Sequence, residues 1–198
     1  MKLKNGVYLI LSLSILLFSC GETNITWESE DASLLEDRGN LVYYKGEVFT
    51  GAVIQYFENG KIEQKNHYKK GYLDRFELYY ENGQLDYLAE YNEGVPSGTW
   101  EAYYENGQLE SKKKFIDGKL EGKVEHYYES GEIMSSEMYL KGKLDGQKRT
   151  FYKNGKILSL QTYRNGTLNG IYEKYDKAGV KLQSVVYKNG KEIVTDNE

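Results

Sequence analysis

Cysteine, proline and histidine are nearly missing from this chain, which has one Cys, one Pro and two His in 198 residues. A lone cysteine excludes an intrachain disulfide framework. His67, His126 and Cys20 are the whole supply of soft ligands, so no His/Cys metal cluster can be assembled. Nucleophilic catalysis needs a base beside its nucleophile. Both histidines fall in predicted strands, where a structural or surface role suits them better than that of a base. Clustered cations are also missing. The net charge is -4, and the longest basic run is Lys112-Lys113-Lys114, whose side chains alternate faces on a strand. That excludes general nucleic-acid binding, which sets cations against phosphates.

The long apolar run of a membrane-spanning helix is absent too. Val7 to Phe18 is apolar or small, but it covers about a dozen residues where a bilayer needs roughly 20. Lys2 and Lys4 precede it, and Leu17-Phe18-Ser19-Cys20-Gly21 closes it. This pattern resembles a bacterial lipoprotein signal, which implies removal of residues 1–19 and a lipid on Cys20. A plain signal peptide and an uncleaved N-terminal anchor remain open. In each reading the rest of the chain lies outside the cytoplasm, at the cell envelope, facing the periplasm or the exterior. Residues 20–40 lack periodicity and are rich in Glu and Asp, so they are expected to form a solvated tether.

What is present in excess is Tyr, with 20 residues, and Gly, with 21. Tyr suits a pleated, half-buried surface, and Gly supplies the positive φ of tight turns. The two are arranged in repeats. An aromatic followed three residues later by Gly recurs at Tyr68, Tyr91, Phe115, Tyr139, Tyr163 and Tyr187, with a weaker leading copy at Tyr43. The first step between the six aromatics is 23 residues and the others are 24. A second glycine follows at Gly51, Gly98, Gly122, Gly146 and Gly170, and the repeat beginning at Tyr68 lacks it. Midway through each repeat stands a unit such as Tyr79-Tyr80-Glu81-Asn82-Gly83 or Tyr103-Tyr104-Glu105-Asn106-Gly107. Asn-Gly between alternating apolar residues predicts a hairpin with a type I′ turn.

Each repeat therefore holds two strands. The expected fold is all-β, an elongated single-layer antiparallel meander of tandem β-hairpins over residues 41–193, followed by a tail at 194–198. One hairpin alone is marginal, so stability comes from neighbour contacts along the array. Alternation in the third copy sets Trp100 and Ala102 on one face, and Glu101 and Tyr103 on the other. Stacked copies bring Tyr56, Tyr79, Tyr103, Tyr127, Phe151 and Tyr175 into register. This column, with Trp100, is the candidate binding surface.

The units Tyr91-Asn92-Glu93-Gly94…Gly98-Thr99-Trp100-Glu101…Tyr104-Glu105-Asn106-Gly107 and Tyr139-Leu140-Lys141-Gly142-Lys143-Leu144-Asp145-Gly146 resemble the MORN repeat. They are closer still to the variant repeats of bacterial proteins labelled YwqK-type antitoxins. The resemblance covers about three-quarters of the chain. It implies β-hairpin arrays that mediate protein contacts, and the label implies neutralisation of a toxin partner.

The chemistry-bearing residues point the same way. Glu58, Glu81, Glu105 and Glu129 recur because each precedes a turn. Glu121 and Asp145 stand singly between glycines, without the clustered oxygens of a calcium loop. Gly118 to Lys123 lacks the spacing and strand-to-helix context of a phosphate loop. The expectation is a non-enzymatic protein without cofactor, held at the membrane by a lipid, that binds a protein partner through its Tyr-rich β surface. An antitoxin role and a carbohydrate-stacking surface are the alternatives.

Overall fold

The computed structural model describes residues 7–8, 35–39 and 41–193, and every regular element among them is a strand. The chain divides into two compact units, residues 1–97 and 98–198.

The first unit holds β1 (Val7–Tyr8), β2 (Leu35–Arg38), β3 (Leu41–Tyr44), β4 (Glu47–Val48), β5 (Gly51–Tyr56), β6 (Ile62–Lys69), β7 (Tyr72–Tyr79) and β8 (Leu85–Asn92). Strands β5 to β8 pair antiparallel in chain order, and β1 pairs with the free side of β5. Cys20 and most of the expected signal lie outside the described residues. Part of the expected tether is structured, since Leu35–Arg38 forms β2, which pairs with β3 in a separate sheet β2-β3-β4. The small sheet is fastened by backbone bonds. Val42 N–H donates to Gly71 O at 2.9 Å, and Gly71 N–H donates to Phe49 O at 2.7 Å.

The second unit holds most of β9 (Val95–Tyr103), which begins in the first unit. It continues with β10 (Leu109–Ile116), β11 (Lys119–Leu120), β12 (Gly122–Tyr127), β13 (Ile133–Leu140), β14 (Lys143–Phe151), β15 (Ile157–Arg164), β16 (Thr167–Tyr175), β17 (Lys181–Lys188) and β18 (Lys191–Ile193). Apart from β11, which closes a short ladder on β10, each strand pairs antiparallel with the next. The expected hairpin array is therefore the architecture of each unit.

The turns differ from expectation in an instructive way. Two-residue turns with both residues at positive φ do occur, but they join one repeat to the next. Lys70-Gly71, Glu93-Gly94, Asp117-Gly118, Lys141-Gly142 and Asn165-Gly166 all have φ near 50° and 80°. At the mid-repeat Asn-Gly sites only the glycine has positive φ, as at Gly60, Gly83, Gly107 and Gly155. Here Gly107 N–H donates to Tyr104 O at 2.8 Å, and Tyr104 N–H donates to Gln108 O at 2.8 Å. This is a type I turn with glycine in the left-handed position after it, and a bulge follows between Leu109 and Ser111. Asn106 stays out of the left-handed region because its side chain has another task. Its Oδ1 accepts from Gln108 N–H at 2.9 Å, and its Nδ2 donates to Glu129 O in the next repeat at 3.0 Å.

Copies are joined by the same bonds each time. Tyr104, Tyr128 and Tyr152 donate their hydroxyls to the carbonyls of Tyr127, Phe151 and Tyr175, at 2.7, 2.7 and 2.9 Å. Glu121 and Asp145 accept from the N–H of Lys141 and Asn165, the positive-φ residues of the following turns. These two carboxylates are turn caps. The core is thin. In the first unit Phe49, Ala52, Ile54, Leu88 and Ala89 are buried, and in the second Val124 is buried beside Ser135, Glu137 and Ser159. Of the two buried serines, Ser159 has its Oγ 2.7 Å from Thr150 Oγ1.

Candidate functional site

Cross-strand register sorts the second unit into two faces. Glu101, Lys112, Glu125, Ser136, Arg149, Leu160, Glu173 and Ser184 form one continuous row of facing partners. Ala102, Ser111, His126, Ser135, Thr150, Ser159, Lys174 and Gln183 form the neighbouring row, which points the other way. The first is here the glutamate face, and it is the more open of the two.

In the second unit the expected tyrosine column lies on the glutamate face, and Tyr79, Tyr103, Tyr127 and Tyr175 are each fixed by the acid two residues before them, whereas Tyr56 and Phe151 follow Ile54 and Arg149. Tyr79 donates its hydroxyl to Glu77 at 2.7 Å in the first unit, and Tyr103 donates to Glu101 at 2.7 Å in the second. Tyr175 donates to Glu173 in the same way, and Tyr127 is hydrogen-bonded to Glu125. A cation completes each group: Arg75 on Glu77, Lys112 on Glu101, Lys123 on Glu125 and Lys181 on Glu173, all between 2.5 and 2.8 Å. The motif also appears on a return strand of the opposite face, where Tyr139 and Lys148 bind the buried Glu137 at 2.9 and 2.8 Å. Tyr56, Tyr79, Tyr103, Tyr127, Phe151 and Tyr175 are all half-buried.

Trp100 is separated from this column. It lies on the opposite face, with its ring 4.4 Å from that of Phe115 and under the Lys113 ammonium at 5.4 Å. The seven predicted residues therefore do not form one surface, because Trp100 and Tyr103 are three apart on a strand whose faces alternate. Sequence reasoning missed the acids at 77, 101, 125 and 173. The available signal was Glu-x-Tyr at a fixed place in successive repeats.

Electrostatics follow from these contacts. Burial alone would raise the Glu101 carboxyl, but hydrogen bonds from Lys112 and Tyr103 outweigh it and hold the group below its ordinary value. Lys148 and Tyr139 do the same for Glu137. The tyrosines move the other way. Burial, then hydrogen bonding to the neighbouring carboxylate, pushes Tyr79, Tyr103 and Tyr139 up to about 12. An acid held ionised by a lysine and a phenol is poorly suited to donate or accept a proton near neutrality.

His67 stands on β6 with Nε2 buried and without a hydrogen-bond partner. Glu77 Oε2 is 3.6 Å away, too far for a hydrogen bond. Burial, reinforced by Lys65, lowers the imidazole below its usual 6.5. The unfolded chain therefore binds this proton more readily than the folded one, and stability is lost as pH falls below 6.5 and through the folded value. Thermal unfolding between neutral pH and the onset of carboxylate titration should show the native chain losing stability faster than His67→Gln. Parallel curves would disprove the assignment.

No group of three or more His, Cys, Asp or Glu residues among the described residues is placed to hold a metal ion. A shallow depression of about 230 Å³ in the first unit is lined by Lys69, Lys70, Tyr72, Leu73, Asp74, Asn92 and Glu93. It is smaller than ordinary ligand pockets and mainly polar. No helix among the described residues is long and apolar enough to cross a membrane, and strand-crossing barrels are a separate matter.

The MORN repeat variant family matches residues 49–70, 75–93, 96–117, 120–141 and 144–165, more than half of the chain. This chain belongs to that family. The structure carries the pattern further, since β16 and β17 repeat the hairpin and Asn189-Gly190 repeats the two-residue turn. No curated protein matches the chain. Among solved structures, the crystal structure of a GtfA/B complex bound to UDP and GlcNAc is 14% identical, with a TM-score of 0.26. That match covers 59% of this chain and 23% of the other, so this MORN-variant chain spans under a quarter of that protein, and the likeness bears only on a fragment of it.

Proposed function

We propose that this MORN-variant chain is a non-enzymatic docking protein, held at the cell envelope by a lipid on Cys20, that binds a protein partner on its tyrosine-bearing face. The observation that supports this is the Glu-x-Tyr pair. The tyrosine rings are half-exposed yet held by a hydroxyl bond to a carboxylate that is itself held by a cation. Rings fixed in advance lose little entropy when a partner covers them, which is why Tyr serves so well at interfaces. Consumption of the acids in ion pairs favours binding over acid–base catalysis. The packing of Trp100 against Phe115 counts against carbohydrate stacking, because that ring face is taken.

Photo-crosslinking in cells tests the reading. A crosslinking amino acid at Tyr103 or Tyr127 is expected to trap one and the same protein, while the same group at Lys174, on the opposite face, is expected to trap none. Equal capture from both faces, or no capture from either tyrosine, would sink it. The antitoxin role implied by the family resemblance is a special case. It requires that the trapped protein arrest growth when this chain is deleted, and unimpaired growth of that deletion strain would remove it.

A further inference from the structure

The glutamate face of the second unit changes character along the array. On β9 to β12 it presents Glu101, Lys112, Lys114, Lys123 and Glu125. On β13 to β17 several of the equivalent places become apolar. Met138 and Val186 stand where Lys114 stood, and Ile171 stands where Lys123 stood. They are 41%, 40% and 45% exposed, far more than a large apolar side chain in a core. One place in the glutamate register is also inverted. Arg149 occupies the position of Glu101, Glu125 and Glu173, and Phe151 replaces the tyrosine that would pair with an acid there. Arg149 is exposed and bonds to Gln147 on its own strand, with no carboxylate beside it on either neighbouring strand.

The row through Arg149 reads Ser136, Arg149, Leu160, Glu173, Ser184 across β13 to β17. It is a charge palindrome centred on Leu160, with serine at both ends and opposite charges at equal distances from the middle. In the neighbouring row Met138 and Val186 stand at the two ends and Thr162 at the centre, so the ends are apolar alike, while between them Gln147, paired with Thr162, stands opposite in place to Ile171, paired with Val186.

We propose that this face docks onto the same face of a second copy of the chain. The two-fold axis runs between the two sheets, along β15. That operation lays Arg149 over Glu173 of the partner subunit, Leu160 over Leu160 of the partner subunit, and Met138 over Val186 of the partner subunit. Such an isologous contact is self-complementary in charge and in apolar content. Face-to-face sheets pack about 10 Å apart, a distance that interdigitated side chains of this size fill. Five strands and four outward residues per strand make a footprint of roughly 24 by 24 Å. That is at the small end for a specific interface, so the expected dimer is reversible. Glu173 is the buried member of its pair, with a side chain only 12% exposed that already holds Lys181 at 2.7 Å, Tyr175 and Ser184, so Arg149 of the partner subunit has to take the place of the half-exposed Lys181 on it.

The proposal stands apart from the docking of another protein at Tyr103 and Tyr127, and sedimentation equilibrium of the full chain tests it alone. The wild type is expected to show a monomer–dimer equilibrium, over protein concentrations of about 1 to 100 µM for a contact this small, that salt weakens. Arg149→Glu sets acid against acid twice per dimer and is expected to weaken association more than tenfold, the scale of a close charge pair. Met138→Glu is expected to do the same without touching the charge row. The exchange Arg149→Glu with Glu173→Arg restores the pairing and is expected to restore the dimer. Circular dichroism identifies any variant that fails to fold, and Arg149→Glu with Met138→Glu then carries the test. A wild type that stays monomeric throughout would overturn the proposal, as would dimerisation indifferent to Arg149→Glu. A monomer that instead co-sediments with anionic phospholipid vesicles would assign the patch to a membrane and overturn it equally.

Discussion

Phe49→Ala is expected to destabilise the first unit by about 3–5 kcal/mol, the cost of removing a buried aromatic ring that the surroundings cannot fill. Phe49 is 2% exposed, the most buried large residue in the unit. Its ring lies 6.3 Å from Tyr44 and 5.7 Å from Tyr68, so it bridges the small sheet and the hairpin array. Its backbone belongs to the same joint, with Phe49 N–H on Val42 O at 2.9 Å and Phe49 O accepting from Gly71. Relaxation into the cavity is hindered by Gly71. That residue has φ +79°, and a Cβ there would lie 2.9 Å from Leu41 and 3.0 Å from Val48, so the strands already touch the turn. Hydrogen exchange should show amides of Leu41–Tyr44 losing protection first, followed by a lower unfolding midpoint for the unit. Unchanged protection over β3 would show that the small sheet is held by its backbone bonds alone.

The contrast between Phe49 and the repeats explains what the sequence reveals. A 24-residue period with glycine at fixed places constrains the backbone many times over, so strands, hairpins and their order could be read directly. Phe49 occurs once, in the irregular leading copy, and no periodicity marks it. The small sheet is hidden for the same reason: β2 is Leu-Glu-Asp-Arg, and nothing in those residues distinguishes a strand from an acidic tether. The turn types were misassigned because Asn-Gly suits two different geometries. The side-chain bonds of Asn106 to Gln108 N–H and Glu129 O decide between them, and the second partner lies in another repeat. Lys70-Gly71 and Glu93-Gly94 adopt the two-residue turn without any asparagine, because strand twist favours that geometry wherever the loop is short. At the candidate site, the tyrosine column was legible from register alone. Its carboxylate and lysine partners were not, because Lys112 meets Glu101 only once the pairing of β9 with β10 is known.

The Glu-x-Tyr pairs also make the fold sensitive to alkali. A cooperative loss of structure is expected as pH rises from 10 towards about 12, the value to which Tyr79, Tyr103 and Tyr139 are pushed. The sign follows from linkage. A tyrosine in the unfolded chain ionises near 10 and the folded one only near 12, so the stabilisation is fully present below 10 and disappears as pH climbs through the folded value. Burial is the leading cause, and the hydroxyl bond to the neighbouring carboxylate adds to it. Ionisation would bring phenolate oxygen against Glu77, Glu101 or Glu137 at hydrogen-bond distance, turning an attraction into a repulsion. Because neighbouring copies pair strand to strand, opening at one pair weakens the next, and the transition should be steeper than independent phenol titration. Phenolate absorbance and circular dichroism recorded together decide the point. The expected result is that the late-titrating phenols ionise as the strand signal collapses, with Tyr103→Phe shifting the collapse to higher pH. Full ionisation of all tyrosines near pH 10 with the strands intact would mean the hydroxyl bonds do not hold the rings.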